Sequence, residues 1–133
     1  HHLPAALLGI VIVLPAQAAG DPVTAPYAAE LRAVDPGFSG FSPAQGQALY
    51  RGRFTGGKPD TPSCTTCHGD NPRQPGRSLT GKVLAPMAST ASPARYTDPA
   101  KVEKWFGRNC REVLGRECTP REKGDWLSYV RGQ

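Results

Sequence analysis

The chain has 133 residues, a formal net charge of +5 and four cysteines. That length is enough for one domain with one small core. The cations are scattered through loops or gathered in the last third, and aromatic residues do not interleave with them, so no nucleic-acid platform is expected.

Ala5 to Leu14 is an almost unbroken apolar run, followed by Ala16-Gln17-Ala18. The run is too short to span a bilayer, and A-x-A is a signal-peptidase pattern. The expectation is a secretory signal peptide over residues 1–18 and a mature domain over 19–133 in the periplasm. The charged segment that normally opens a signal peptide is missing, so its true start is expected upstream. A short uncleaved anchor is the alternative.

A helix is expected over Pro26 to Val34, stopped by Asp35-Pro36-Gly37. Ser42, Pro43 and Gln45 signal a second helix that carries Leu49 and Tyr50 and ends near Gly52. Then comes Cys64-Thr65-Thr66-Cys67-His68, a C-x-x-C-H segment. The two thiols can add across the vinyl groups of a haem, and the histidine that follows can bind the iron as the proximal ligand. One covalently bound haem c is therefore expected on Cys64, Cys67 and His68. A zinc site would need further Cys or His at suitable spacing, and a thioredoxin-like pair would need a βαβ context. Neither is present in the sequence.

Gly69 to Thr97 is rich in Pro, Gly, Ser and Thr and reads as a long loop wrapped over something. Asp98-Pro99 opens a helix expected to reach about Cys110. On it Val102, Trp105, Phe106 and Asn109 share one face, a stripe suited to lie against haem. Asn109 is either a helix-end cap or an iron ligand. Cys110 and Cys118, an even pair in an exported chain, are expected to form a disulfide that closes a short loop, adding about 2–3 kcal/mol. Thr119, Pro120 and Glu122 form a capping box for a last helix with Trp126, Leu127 and Val130. The fold class is all-α, a small class I-like cytochrome c fold with helices and long loops around one haem.

After signal cleavage His68 is the only histidine, which excludes bis-histidine ligation within one chain. The only methionine, Met87, follows His68 by 19 residues. It is either a sixth ligand or a core gap-filler.

Three runs resemble the sphaeroides haem protein (SHP) family of monohaem c-type cytochromes. They are Thr55 to Gly69, Val102 to Cys110, and Cys118-Thr119-Pro120. In that family the Asn immediately before the first cysteine of a short disulfide loop binds the iron. The resemblance therefore implies that Asn109 is the distal ligand, with Cys110 and Cys118 as the matching bridge. It also implies a high-spin haem that takes up small diatomic gases (O2, NO, CO) when reduced. The implied partners are a dihaem cytochrome c or a membrane cytochrome b, with membrane contact only through the partner.

No nucleophile, general base or substrate pocket is evident, so an electron-transfer and ligand-binding protein is expected rather than a turnover enzyme. An ordinary low-spin His–Met carrier and a small oxygen or nitrogen-oxide reductase remain the alternatives. The basic residues are either a steering surface for an acidic redox partner or an ordinary solvated surface.

Overall fold

A computed structural model describes residues 1–2, 9–10 and 21–133. The expected signal segment therefore falls almost wholly outside the described residues. No helix among the described residues is long and apolar enough to cross a membrane.

Among the described residues five helices and one small hairpin follow in chain order. They are α1 (Ala25–Val34), α2 (Pro43–Arg51), α3 (Thr65–His68), β1 (Gly76–Arg77), β2 (Val83–Leu84), α4 (Pro99–Leu114) and α5 (Pro120–Arg131). The hairpin pairs antiparallel, Gly76 opposite Leu84 and Arg77 opposite Val83. It corrects the expectation of an unstructured loop there; two-residue strands are too short to leave a period-two signal.

Local chemistry sets the helix starts. Ser42 accepts from the Gln45 N–H at the head of α2, Asp98 from Ala100 and Lys101 at the head of α4, and Thr119 and Glu122 close a reciprocal capping box on α5. Each satisfies backbone donors that the first turn leaves free. α4 runs past Cys110 to Leu114 and stops at Gly115, which takes the left-handed conformation at φ 74°. The Cys110–Cys118 disulfide, with Cα atoms 5.7 Å apart, therefore ties the last turn of α4 to the start of α5. It does not merely close a loop.

The core lies where α5 packs along α2 and α1. Tyr50, Leu127 and Val130 are fully enclosed. A Cβ on Gly46 would stand 1.9 Å from the Asp125 carbonyl oxygen, so α2 and α5 approach closer than any side chain allows. Asp125 in turn accepts from the Ser42 N–H at 2.8 Å. Phe106 of α4 meets the rings of Trp126 and Tyr27 edge-on, with centroids 5.6 and 6.3 Å away.

Candidate haem site

The segment before Cys64 lies on the C-terminal end of α4. Cβ atoms on Gly56 and Gly57 would stand 2.5 Å from the Leu114 oxygen and 2.2 Å from the Glu112 oxygen. Only glycine fits such an approach. Lys58 N–H and Thr61 Oγ1 both donate to the Glu112 carbonyl, at 2.8 and 2.9 Å. The chain thus enters the attachment motif with its position fixed against α4.

Within the motif, Ser63 is buried, and its Oγ accepts from the Thr65 N–H and the Thr65 hydroxyl. The His68 N–H donates to the Cys64 carbonyl at 3.1 Å, closing one helical turn. That turn puts Cys64 at the N-cap of one short helix, α3, with Cys67 and His68 within it. From the other side Gly76 presses in; a Cβ there would be 2.2 Å from the Cys67 oxygen. The Tyr50 hydroxyl donates to the Gly69 carbonyl at 2.9 Å.

The electrostatics favour neutral groups. Burial pushes the Cys64 thiol up to about 11, with the nearby Trp126 side chain opposing the shift. Burial also raises the Cys67 thiol. These are not the acidic, reactive thiols of a redox pair. As thioether sulfurs they would carry no charge and lose nothing by enclosure. Burial, helped by the nearby Arg95 cation, lowers His68 to about 4. Its imidazole is therefore neutral at physiological pH, the form that binds metal. His68 Nδ1 is sealed from solvent without a hydrogen-bond partner. Among the described residues no cluster of three or more Cys, His, Asp or Glu could hold a free metal ion.

Around the attachment sulfurs lies apolar surface. Leu79 and Val83 are each 59% exposed. Val83 lines a cleft of about 410 Å³ with Thr65, Thr66, Cys67, Gly76 and Arg77. Exposed apolar side chains beside the Cys67 thiol, in a motif that also holds Cys64 and a neutral imidazole, fit a large apolar ring bonded through sulfur and ligated by nitrogen.

The stripe on α4 divides. Val102 and Phe106 are buried against the protein core, whereas Trp105 is 44% exposed and Asn109 is exposed. Asn109 lies inside the helix, five residues before Leu114, so it is not an end cap. Met87 is 8% exposed and belongs to the core cluster. The sequence reading missed Tyr50, Trp126 and Arg95 as parts of this site. It placed the first two in helices and took the third for a loop cation. Aromatic helix residues carry no local signal for touching the attachment motif.

The basic side chains of the last third are largely neutralised by neighbours. Arg108 pairs with Glu112, Arg111 with Glu117, Arg116 with Glu122, Arg121 with Asp35 and Lys123 with Glu103. Glu103 also accepts from the Tyr27 hydroxyl.

Comparison with known proteins agrees with this geometry. A family model described as a domain of unknown function (DUF1924) matches residues 36–130. The cytochrome c-type protein SHP of Cereibacter sphaeroides is 56% identical over 89 residues, 67% of this chain and 69% of that protein. Cytochrome c'' of Methylophilus methylotrophus is 31% identical over 97 residues, 72% of this chain and 67% of that one. The structure of oxidised SHP, described as an oxygen-binding cytochrome c, superposes with a TM-score of 0.75 at 48% identity, covering 86% of this chain and all of that one. Oxidised cytochrome c'' superposes with a TM-score of 0.72 at 28% identity, covering 84% and 91%. With its all-α fold and its attachment motif, the chain belongs to the SHP family of monohaem c-type cytochromes and carries one covalently bound haem c.

Proposed function

We propose that this chain is a periplasmic electron-transfer protein whose distal iron ligand leaves on reduction. Cys64 and Cys67 hold the haem through thioethers, and His68 is the proximal ligand. Trp105 faces the ring with Val102 and Phe106 backing it from the core, and Asn109 is the distal ligand of the oxidised state. The haem supplies one-electron redox chemistry and, when reduced, a site for a small diatomic molecule such as O2, NO or CO. The observation that carries this reading is the place of Asn109. It is an exposed amide inside a helix, neither cap nor core, one turn from exposed Trp105.

An amide oxygen is a neutral, hard donor that suits ferric better than ferrous iron. Asn109 would therefore bind in the oxidised protein and withdraw in the reduced one. SHP, the relative described as oxygen-binding, supports the same behaviour. Met87 packed in the core speaks against a His–Met carrier.

As redox partner we propose a dihaem cytochrome c or a membrane cytochrome b. Arg73, Arg77 and Lys82 form no ion pair among the described residues, and they lie on the segment flanking Cys67. An acidic partner would dock there, where the cations remain available.

The test is spectroscopic. Asn109→Ala should change the ferric absorption spectrum while leaving ferrous carbon monoxide binding largely intact, and Met87→Leu should change little. A silent Asn109→Ala, with Met87→Leu abolishing a low-spin ferrous spectrum, would make the protein an ordinary His–Met carrier.

A further inference from the structure

Two side-chain nitrogens among the described residues are sealed from solvent without a hydrogen-bond partner, His68 Nδ1 and Arg95 Nε. The first belongs to the attachment motif. The second is on the loop between β2 and α4, outside every run that resembles a known motif.

That loop is built to hold its arginine. Arg95 Nη2 donates to the Ala85 carbonyl at 2.8 Å, ten residues back along the chain. Ser92 Oγ donates to the Pro86 carbonyl at 2.8 Å, and the Tyr96 hydroxyl to the Met87 carbonyl at 2.6 Å. Tyr96 itself sits at φ 63°, a region a bulky residue enters only when its surroundings require it. Arg131 Nη2 grips the Tyr96 carbonyl at 2.8 Å and holds it there. The guanidinium next to Tyr96 is thus placed by the fold and is not a freely solvated side chain.

The neighbouring Tyr96 ring meets Trp126 edge-on with centroids 6.0 Å apart, and Trp126 packs against Tyr50, whose hydroxyl bonds the Gly69 carbonyl, so the loop lies near the attachment motif. Yet no carboxylate among the described residues pairs with it. A held, partly enclosed cation with a sealed N–H and no anion is costly. The haem brings two carboxylates of its own.

We infer that Arg95 binds a haem propionate, with Nε–H and a neighbouring Nη–H gripping the carboxylate while the Ala85 carbonyl fixes the guanidinium from the other side. Two parallel bonds to a carboxylate are the arrangement a guanidinium favours. Arg95 is then a positioning residue that orients the ring edge. It also offsets propionate charge, which would otherwise favour the ferric state. This rests on the covalent haem and is independent of Asn109.

Potentiometric titration of the holoprotein, followed by absorbance, tests the assignment. Arg95→Gln should lower the reduction potential by about tenfold in the ferric–ferrous equilibrium, about 59 mV for one electron. Arg95→Lys keeps the charge and should restore most of that loss. A lowered melting temperature with an unchanged potential in Arg95→Gln would overturn the proposal and leave Arg95 as a loop brace on Ala85. Should Arg95→Gln not accumulate, redox-induced infrared difference spectra of Arg95→Lys decide. The propionate carboxylate bands should shift from wild type as two bonds become one. Unshifted bands would overturn the assignment equally.

Discussion

The arm that leads into Cys64 and the helix that carries Asn109 are packed in opposite ways. Along the arm, backbone meets backbone. Gly56 and Gly57 each occupy space where a Cβ would come within 2.5 Å of a carbonyl oxygen. On α4, Trp105 and Asn109 are exposed, and a Cβ on Gly107 between them would meet only the end of Arg111, at 3.7 Å. One side is built to hold a group permanently in one place. The other leaves room for an axial group to come and go. A covalent attachment and the releasable ligand we propose need these two kinds of packing, and α4 joins them. Its last turn clamps the arm while the turns before it present the open face.

Removing a covalent bond should have the largest effect. Cys67→Ala should leave at most one thioether and a much less stable holoprotein. If haem were released from denatured wild type into acidified organic solvent, the attachment reading would fail.

The next effect bears on the contrast directly. Gly57→Val forces a side chain onto the Glu112 and Val113 backbone and should cost about 3 kcal/mol in chemical denaturation. Gly107→Ala, on the open helix, should stabilise by about 0.5–1 kcal/mol through helix propensity. Equal losses at both positions would mean that the two regions are packed alike.

How much of this contrast was legible depends on range in sequence. Ser42, Asp98 and Thr119 bond N–H groups two or three residues away, so their helices could be read from local order. The haem motif is likewise five consecutive residues. The end of α4 was placed too early, at Cys110. The stop is Gly115, which lies within the short span that Cys110 and Cys118 close. The contact of Gly57 with Glu112 joins residues 55 positions apart, and no pattern announces it. Arg95 looked like any loop cation, because what marks it is the enclosure of one nitrogen by the folded chain. Asn109 stood out only through its resemblance to a known family; periodicity alone left a cap or a ligand open.

The disulfide should rank below the glycine clamp. Reducing Cys110–Cys118 should cost about 2–3 kcal/mol on the chain-entropy account. It should also disturb the ferric spectrum more than the ferrous one, because it loosens the turn that follows Asn109. Thiol counting on unfolded, unreduced protein should find no free thiols. Two would rule out the bridge.

The smallest effect belongs to the cap that seats α5 beside that bridge. Thr119→Ala removes one half of the capping box and should cost about 1 kcal/mol. The other half responds to acid. The Arg116 guanidinium bonds both carboxylate oxygens of Glu122, at 2.7 and 3.0 Å, and holds its carboxyl below the usual range; partial burial opposes this, and the Thr119 backbone N–H assists it. A carboxylate whose folded value is depressed contributes stability above its unfolded value and loses it as the pH falls through the folded one. Stability should therefore decline below the ordinary carboxylate range in wild type, and less steeply in Glu122→Gln. The acid loss should appear in melting temperature while the ferrous carbon monoxide spectrum stays unchanged, since the cap lies on the held side of the molecule. A parallel loss of carbon monoxide binding would tie α5 to the open face of α4 and erase the contrast between arm and helix.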